Sequence, residues 1–537
     1  MDFEIPNHYS LLQKERLQYK PEIPDSLLFD KPTKIEFGEE TSAAGDIEQI
    51  QKQFPKSFGR KVAHIVEAEK FETQRPFKVG VVFSGGPAPG GHNVIVGVFH
   101  FFKKLNPESK IIGFLDGLGG VINNKNREIV EKDIQLSFNQ GGFDLLGTSR
   151  EKISTDEDFE KSYETLKSHE LDGLVVIGGD DAIFIAIPKT IDGDIRSKYL
   201  EMTAGFDTVC KVYSEFIGNI MRDALSAKKY YHFIRVMGRS SSHIALECSL
   251  KTHPNYVLIG EDIEKQKLRF VELIEQLTKF VIDRFNAGKS YGVIIIPEGL
   301  IQHIHTFRGL ISKIDEIYEK NPKQDKWTYE EILQKLKDDE VSAKLFSEIP
   351  KPIAQTLMTD RDPFGHVRVS KIETGKLLKW SIRDKLSHEE SQKNITNTSK
   401  KFVFECMTHY FGYEGRCSLP SNFDATYCYA LGITAARLIL HEQTGMMAVV
   451  NNLSDETKNW KALGLPLTDL LHMKENSEKP ELKIFGVDVN GAPFKELQTK
   501  LENWRIVDHY RCSGPMQFGG DSKDWKPKVL LLDKNKK

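Results

Sequence analysis

Short apolar runs that stop at glycine or proline restrict the possible folds of this chain more than any other feature. They occupy residues 78–84, 110–114, 171–177, 183–187 and 291–296. Stretches with helical spacing separate them, and this alternation is typical of an α/β protein with parallel sheets. In such sheets ligands bind at the carboxyl ends of the strands, where these loops lie. We therefore predict two Rossmann-like parallel-sheet domains and a ligand site at the strand ends.

The chain is too long for one ordinary core, because 537 residues exceed the size at which single cores stop growing. Residues 1–75 are polar and predict an N-terminal extension. Residues 302–401 alternate charged segments with an apolar helical face and predict a helical insertion. The α/β pattern occupies what remains, namely residues 76–225, 226–301 and 402–537.

Charge and cysteine usage exclude several classes of protein. The 74 Lys and Arg residues balance 77 Asp and Glu residues, so a general nucleic-acid binder is not expected. The six cysteines show no CxxC spacing, which argues against a zinc site and favours reduced thiols in the cytoplasm. The acidic start lacks a secretory signal, and no run approaches the roughly 18 apolar residues of a membrane span.

A glycine-rich segment, Phe83-Ser-Gly-Gly-Pro-Ala-Pro-Gly-Gly-His-Asn93, lies between a predicted strand and a predicted helix. Glycines let backbone amides approach an anion, and a helix N-terminus adds positive potential, so the pattern favours a phosphate cradle. The alternative is an ordinary tight turn. The pattern matches neither GxGxxG nor the Walker motif, and those families lose support.

Acidic and basic residues follow the next strands. Gly178-Gly-Asp-Asp181 offers two carboxylates of the kind that bind a Mg²⁺ ion bridging phosphates. The alternative interpretation of this segment is a solvated acidic turn without a ligand. Pro188-Lys-Thr-Ile-Asp-Gly-Asp194 offers a lysine for phosphate oxygens and, in Asp192, an acceptor for a hydroxyl proton. Its alternative is a proline turn with a surface lysine.

Three later motifs place arginine or glutamate beside glycine: Met237-Gly-Arg239, Pro297-Glu-Gly299 and Phe411-Gly-Tyr-Glu-Gly-Arg416. Arginine suits bidentate phosphate binding and a buried glutamate suits sugar hydroxyls. An ion-paired arginine or a loop glutamate is the alternative for each motif taken alone.

In this order the motifs closely resemble those of the long-chain, pyrophosphate-dependent phosphofructokinases. The resemblance runs from about Arg75 to Leu532, and it includes Gly142-Phe-Asp-Leu-Leu-Gly-Thr-Ser-Arg150, Gly205-Phe-Asp207, Leu419-Pro-Ser-Asn-Phe-Asp424 and Gly491-Ala-Pro-Phe494. It implies a phosphofructokinase-type fold and reversible phosphoryl transfer from pyrophosphate to O1 of fructose 6-phosphate. Residues 76–225 would bind the donor, residues 226–301 the sugar phosphate, and residues 402–537 would complete both domains.

The resemblance also implies a role for each motif residue. Gly85 and Lys189 would bind the diphosphate, Asp180 would hold Mg²⁺, and Asp192, Asp181 and Lys189 would be the catalytic residues, with Asp192 as the base. The sugar-phosphate site would consist of Thr190, Ile191, Asp192, Met237, Gly238, Arg239, Glu298, Tyr413, Glu414, Gly415 and Arg416.

Lys229 and Tyr230 match a segment of the family that reaches the site of a neighbouring subunit. The resemblance therefore implies a homodimer or a higher homo-oligomer, with Lys229 and Tyr230 as further substrate-binding residues. The expected partners are the two substrates alone, with neither nucleic acid nor membrane.

Asp181 and Lys189 bear on the choice of donor. The relatives that use ATP have glycine at both positions. A carboxylate at Asp181 would occupy the place of the ATP α-phosphate and repel it. Lys189 would neutralise the leaving phosphate of the smaller donor. We therefore predict pyrophosphate as the donor.

One feature departs from the resemblance. Only residues 178–182 separate the apolar runs that end at Ile177 and begin at Ile183. A parallel crossover needs about a dozen residues, so either the crossover helix is missing or these two strands form a hairpin. A catalytically impaired or regulatory subunit is the first rival function. An NAD-kinase-like or lipid-kinase-like enzyme, which shares a Gly-Gly-Asp turn, is the second.

Overall fold

The computed structural model describes residues 5–6, 8–70, 73–178, 185–321, 327–361, 367–388, 393–397, 401–473, 479–512 and 526–533. These residues form two compact units. The first contains the described parts of residues 1–212, 413–485 and 516–534, and the second contains those of residues 213–412 and 486–515. Each unit draws on more than one stretch of the chain.

The strands of the described residues are, in chain order, β1 (Thr33–Glu40), β2 (Lys61–Glu67), β3 (Lys78–Phe83), β4 (Lys110–Phe114), β5 (Asn126–Ile129), β6 (Gly173–Gly178), β7 (Ile185–Pro188), β8 (Tyr230–Val236), β9 (Tyr256–Val257), β10 (Tyr291–Pro297), β11 (Cys406–Phe411), β12 (Met446–Asn451), β13 (Lys461–Pro466), β14 (Leu471–Met473) and β15 (Pro480–Leu482). The short apolar runs of the sequence therefore form strands.

The α-helices of the same residues are α1 (Leu11–Gln18), α2 (Ile47–Gln53), α3 (Gly91–Leu105), α4 (Leu118–Ile122), α5 (Glu131–Ser137), α6 (Asp156–Ser168), α7 (Phe206–Ala227), α8 (His243–Thr252), α9 (Gly260–Lys265), α10 (Phe270–Asn286), α11 (Leu300–His303), α12 (His305–Glu319), α13 (Tyr329–Lys335), α14 (Glu340–Glu348), α15 (Lys351–Thr359), α16 (Thr374–Ser387), α17 (Tyr413–Arg416), α18 (Asn422–Leu440), α19 (Ala492–Trp504) and α20 (Lys528–Asp533). Within the described ranges, no helix is long and apolar enough to cross a bilayer.

The first unit is built on a mixed sheet with the strand order β1-β2-β13-β12-β7-β6-β3-β4-β5. The five central strands, β12 to β4, run parallel, and the outer strands pair antiparallel. The α/β fold prediction is confirmed. Because β3, β6 and β7 are parallel neighbours, the loops that follow them reach the same edge of the sheet.

The connection between β6 and β7 differs from one of the two arrangements that the sequence suggested. Val175 pairs with Ile185 and Gly178 with Pro188 in a parallel register, so the hairpin alternative is wrong. The chain must step back about 10 Å along the strand and about 5 Å across. The intervening stretch, residues 179–184, has a maximum extended length of about 20–22 Å. Six residues are fewer than the roughly dozen of a usual parallel crossover, and residues 179–184 lie outside the described part of the chain.

Two helices of the first unit, α3 and α18, cross at glycines. A Cβ on Gly97 would lie 2.5 Å from the Tyr429 carbonyl oxygen, and one on Gly432 would lie 2.2 Å from the Val94 carbonyl oxygen. Backbone atoms have no rotamer that would relieve such a contact. The glycines therefore permit the close packing that fixes α3 and α18, whose N-termini begin beside the site described below.

This crossing predicts opposite effects of the same substitution at two glycines. Gly432→Ala is expected to lower the free energy of unfolding of the first unit by about 1–3 kcal/mol, because the helices must separate. Gly309→Ala in α12 is the control, since no atom lies within 4 Å of its added Cβ; it should stabilise α12 by about 0.5–1 kcal/mol. Differential scanning calorimetry would compare the two variants. Equal transition temperatures would contradict the close crossing.

The second unit contains a parallel sheet with the order β11-β8-β10-β9. Helices α12 to α16 pack with this sheet in one apolar cluster that includes Ile332, Leu336 and Leu345. The predicted helical insertion therefore lies on the core of this unit. Here too the parallel strands bring several loops, those after β8, β10 and β11, to one edge.

Candidate active site

The glycine-rich loop after β3 is held by the segment after Gly147. Gly85 has a left-handed backbone, with φ at +76°, which glycine adopts without strain. Its N–H donates to the Ser149 carbonyl oxygen at 2.9 Å, and its own carbonyl oxygen accepts from Thr148 Oγ1 at 2.8 Å. The loop is thus fixed at the carboxyl end of β3, directly before α3.

Lys189 is directed at this loop. It follows β7, is 8% exposed, and donates from Nζ to the Gly86 carbonyl oxygen at 2.8 Å. The ammonium group also lies 6.0 Å from the centre of the Phe143 ring, which stacks on Phe83. A lysine that was a surface residue in the alternative prediction is therefore a buried cation beside the glycine loop.

Arg416 approaches the same loop from α17. A Cβ on Gly86 would lie 1.8 Å from Arg416 Nη2, so the guanidinium occupies the space that the missing side chain of Gly86 leaves open. The guanidinium carbon also lies 5.1 Å from the centre of the Tyr413 ring, which is 71% exposed. Three predicted residues, Gly85, Lys189 and Arg416, are thus brought together. Two cations at a glycine loop favour a bound polyanion.

The loop after Lys189 carries the predicted base. Asp192 is half-buried, and its backbone N–H donates to Thr190 Oγ1 at 3.2 Å. The Thr190 carbonyl oxygen accepts from Thr203 Oγ1 at 2.7 Å, and Ile191 is buried. These hydrogen bonds give the loop a defined conformation in which Asp192 is half-buried.

Of four further residues predicted for this site, two are described by the structure and two are not. Glu414 is exposed and Gly415 is buried within α17. Asp180 and Asp181 lie outside the described residues. Within the described part of the chain, His, Cys, Asp and Glu form no group of three that could hold a metal ion.

The second unit brings together four of the residues predicted to bind the sugar phosphate, namely Met237, Gly238, Arg239 and Glu298. Gly238 follows β8 with φ at +123°, and its carbonyl oxygen accepts from the Gly299 N–H at 3.0 Å. A Cβ on Gly299 would lie 1.8 Å from the Arg239 carbonyl oxygen. Because these two loops touch through glycine, Met237 and Arg239 lie beside Glu298, which follows β10.

Glu298 has a partner that sequence reasoning missed. The side chain is only 5% exposed, and Tyr410 Oη of β11 donates to its Oε1 at 3.2 Å. The Arg235 guanidinium carbon lies 4.3 Å from the Tyr410 ring centre. Buried carboxylates require such partners. A tyrosine two residues before Gly412 gave no local signal of this contact.

Lys229 and Tyr230 lie at the opposite end of β8 from Met237. Tyr230 begins the strand with φ at +69°, an uncommon conformation for an aromatic residue, and Lys229 Nζ lies 5.1 Å from its ring centre. Within this chain the structure does not bring these two residues to Arg239. Their proposed role in a neighbouring subunit is untouched by this finding.

Comparisons with known proteins decide the family. The sequence profile of the Phosphofructokinase family matches residues 78–439. The chain belongs to the phosphofructokinase family. A pyrophosphate–fructose 6-phosphate 1-phosphotransferase of Entamoeba histolytica is 38% identical over 98% of this chain and 100% of its own length. The subunit beta 2 of the enzyme of that name from Arabidopsis thaliana is 39% identical over 98% of this chain and 95% of its own length.

A solved structure supports the fold. The pyrophosphate-dependent phosphofructokinase of Marinobacter aquaeolei matches 83% of this chain and 98% of its own chain, with a TM-score of 0.50 and 15% identity. At that identity the similarity concerns the fold alone. The Entamoeba histolytica comparison extends over 552 positions although this chain has 537 residues, so this chain carries gaps relative to that protein.

Proposed function

We propose that this phosphofructokinase transfers a phosphoryl group from pyrophosphate to O1 of fructose 6-phosphate, reversibly. The observation that carries the proposal is the cation pair on the glycine loop, in which Lys189 binds the Gly86 carbonyl oxygen and Arg416 fills the space above Gly86. The near-full-length relatives that are named for this reaction support it.

The buried position of Lys189 supports pyrophosphate as the donor. The ammonium is buried beside the glycine loop, and because burial strengthens its electrostatic effect, we propose that it neutralises the leaving phosphate of a small donor. Asp181, which lies outside the described residues, is proposed to repel the additional phosphate of a nucleotide. Both residues thus favour the same donor.

The transfer requires one proton acceptor and one stabilised leaving group. The O1 hydroxyl gives its proton to the Asp192 carboxylate as the oxygen forms a bond to phosphorus. The bond between that phosphorus and the bridging oxygen breaks, and the departing phosphate is stabilised by Lys189. Gly85 allows the backbone of the glycine loop to approach the diphosphate. In the reverse direction Asp192 returns the proton.

Mg²⁺ is the proposed cofactor, with Asp180 as its ligand. Mg²⁺ commonly binds one or two carboxylates together with substrate phosphates and keeps several waters, and Asp180 would supply such a carboxylate. When bound, the ion would neutralise phosphate charge. The described cations, Lys189 and Arg416, would bind phosphate oxygens beside it.

The second unit is proposed to bind fructose 6-phosphate. Arg239 suits its phosphate group, and Glu298, held by Tyr410, suits its hydroxyl groups. Met237 and Gly238 of the same unit complete this part of the proposed set, and the family resemblance assigns Thr190, Ile191 and α17 of the first unit to the same substrate. Lys229 and Tyr230 would serve a neighbouring subunit, so we also propose a homodimer or a higher homo-oligomer.

A cytoplasmic location is proposed from the cysteines. The six cysteines of the sequence show no CxxC spacing, and reduced thiols of this kind are expected in a reducing compartment. Nothing in the comparisons favours the impaired or regulatory subunit, and the family assignment replaces the NAD-kinase-like and lipid-kinase-like alternatives.

A coupled assay in both directions tests the proposed reaction. Purified protein with Mg²⁺, pyrophosphate and fructose 6-phosphate should form fructose 1,6-bisphosphate and phosphate, and the latter pair should regenerate pyrophosphate. ³¹P NMR would identify the phosphorus species. A protein that binds both substrates but forms no bisphosphate would support the impaired-subunit alternative instead.

A further inference from the structure

Asp424, in the first turn of α18, is a fully buried carboxylate that holds a second helix. Its Oδ1 accepts from the Gly205 N–H at 3.1 Å, and its Oδ2 accepts from the Thr208 N–H at 2.8 Å and from Thr208 Oγ1 at 2.5 Å. The first N–H groups of a helix have no partner within it. Asp424 therefore caps α7 from a segment more than 200 residues away in the sequence.

The segment that Asp424 holds leads directly to the Lys189–Asp192 loop. The Ala204 N–H donates to the Pro188 carbonyl oxygen at 2.9 Å, and Thr203 Oγ1 donates to the Thr190 carbonyl oxygen. A Cβ on Gly193 would lie 2.6 Å from the Phe206 ring, so this ring closes the other end of the loop. The position of the loop thus depends on where residues 203–208 are held.

Helix α18, which carries Asp424, also contacts the glycine-rich loop. Asn93 donates from Nδ2 to the Ala425 carbonyl oxygen at 3.0 Å, and a Cβ on Gly90 would lie 2.4 Å from Cys428 Sγ. A Cβ on Gly205 would in turn lie 2.9 Å from the Ala88 Cβ. The start of α18 therefore fixes both loops that hold the proposed diphosphate residues.

Stability alone does not account for a carboxylate here. Burial, followed by repulsion from Asp207, raises the pKa of Asp424 to about 7. Between the ordinary aspartate pKa of about 3.9 and pH 7 the folded protein binds more protons than the unfolded chain, so the free energy of unfolding falls as pH rises. The part of the free energy of unfolding that depends on the titration of Asp424 is therefore lower at neutral pH than at acid pH, so stability at neutral pH does not explain a carboxylate at this position.

We propose that Asp424 is a positioning residue for the diphosphate site, which sets the Lys189–Asp192 loop against the glycine-rich loop through Gly205 and Thr208. This inference rests on the proposed function, since it assigns the diphosphate to those two loops. Asp424 touches no substrate in this account. It acts through Lys189 and the backbone of the loops.

Asp424→Asn separates positioning from simple folding. Asparagine keeps one acceptor oxygen but places an amide donor against the Thr208 donors. We expect the Kd for pyrophosphate with Mg²⁺, measured by calorimetry, to rise about tenfold and kcat to fall about tenfold, each equivalent to about 1.4 kcal/mol. The KM for fructose 6-phosphate should change less than the Kd for pyrophosphate, because Arg239 and Glu298, which are proposed to bind the sugar phosphate, follow β8 and β10 of the second unit.

Protonation of Asp424 should mimic the substitution. The titratable groups around it are Asp207, which is paired with Lys211, and Cys428 and Tyr427 on its own helix. Below pH 7 a protonated Asp424 loses one of the three hydrogen bonds that it accepts. The ratio of wild-type to variant kcat/KM for pyrophosphate should therefore rise between pH 6 and 8, and titration of pyrophosphate itself cancels in this ratio.

Two further variants complete the test. Asp469→Asn is the matched control, because burial also raises the pKa of Asp469 but its carboxylate faces the Ser42 backbone. For this control, the ratio of wild-type to variant kcat/KM for pyrophosphate should not change with pH. Thr208→Val, which removes only the Oγ1 donor, should act as Asp424→Asn does, but more weakly. A pyrophosphate Kd unchanged in both site variants, or a flat ratio, would overturn the inference.

The Kd for pyrophosphate, measured by calorimetry, also distinguishes a failure of this inference from a failure of the proposed function. Wild-type protein that binds pyrophosphate but forms no fructose 1,6-bisphosphate would refute the function, and the binding constants of the variants would still decide the role of Asp424. An active wild type with unaffected variants would refute the positioning role alone.

Discussion

Asp192→Asn is expected to lower kcat about 100- to 10,000-fold while the KM values of both substrates stay within about threefold. The amide cannot accept the O1 proton, and loss of a positioned base costs about this factor. The substitution is isosteric, and the Asp192 N–H can still donate to Thr190 Oγ1, so the loop should keep its conformation. Steady-state kinetics in the coupled assay would measure both constants.

Asp116→Asn provides the control for Asp192, because Asp116 is an exposed aspartate paired with Lys125. Its kinetics should match those of the wild type. A large rise in the KM for fructose 6-phosphate with unchanged kcat in Asp192→Asn would assign Asp192 to binding and remove it from the role of base.

Lys189→Met should lower kcat/KM for pyrophosphate about 100- to 1,000-fold. The variant keeps the length of the buried stem but loses the cation that would stabilise the departing phosphate, an effect of the size seen for removed charge-stabilising groups. It also removes the hydrogen bond to the Gly86 carbonyl oxygen. Pyrophosphate binding by calorimetry and turnover would be measured on the same preparation.

Lys198→Met is the matched control for Lys189, since Lys198 is exposed and paired with Glu39. It should leave both donor constants unchanged. Lys189→Met with wild-type kcat/KM for pyrophosphate would contradict the assignment of Lys189 to the leaving phosphate. A loss confined to the KM for fructose 6-phosphate would move Lys189 to the acceptor site.

The strand-end motifs could be predicted from the sequence because their signals are local. Apolar runs that pass into glycine predict β3 and its loop, and the same pattern predicts β10 and Glu298. Contacts across the chain could not be predicted in this way. Lys189 reaches Gly86 over 103 residues, and this contact depends on the strand order β7-β6-β3, which local patterns do not encode.

The same limit applies to Tyr410, Asp424 and Gly86. Each is defined by a partner in a distant segment: Glu298 for Tyr410, Thr208 for Asp424 and Arg416 for Gly86. The β6–β7 connection exposed a different limit. Its shortness was evident from the sequence, but only the register showed that the strands remain parallel.

Initial rates with pyrophosphate and with ATP, at equal Mg²⁺ and saturating fructose 6-phosphate, test the central claim most directly. Repulsion of a nucleotide phosphate by Asp181 and neutralisation of the small leaving group by Lys189 act in the same direction. We predict kcat/KM for pyrophosphate about a hundredfold or more above that for ATP. Faster turnover with ATP would contradict the account.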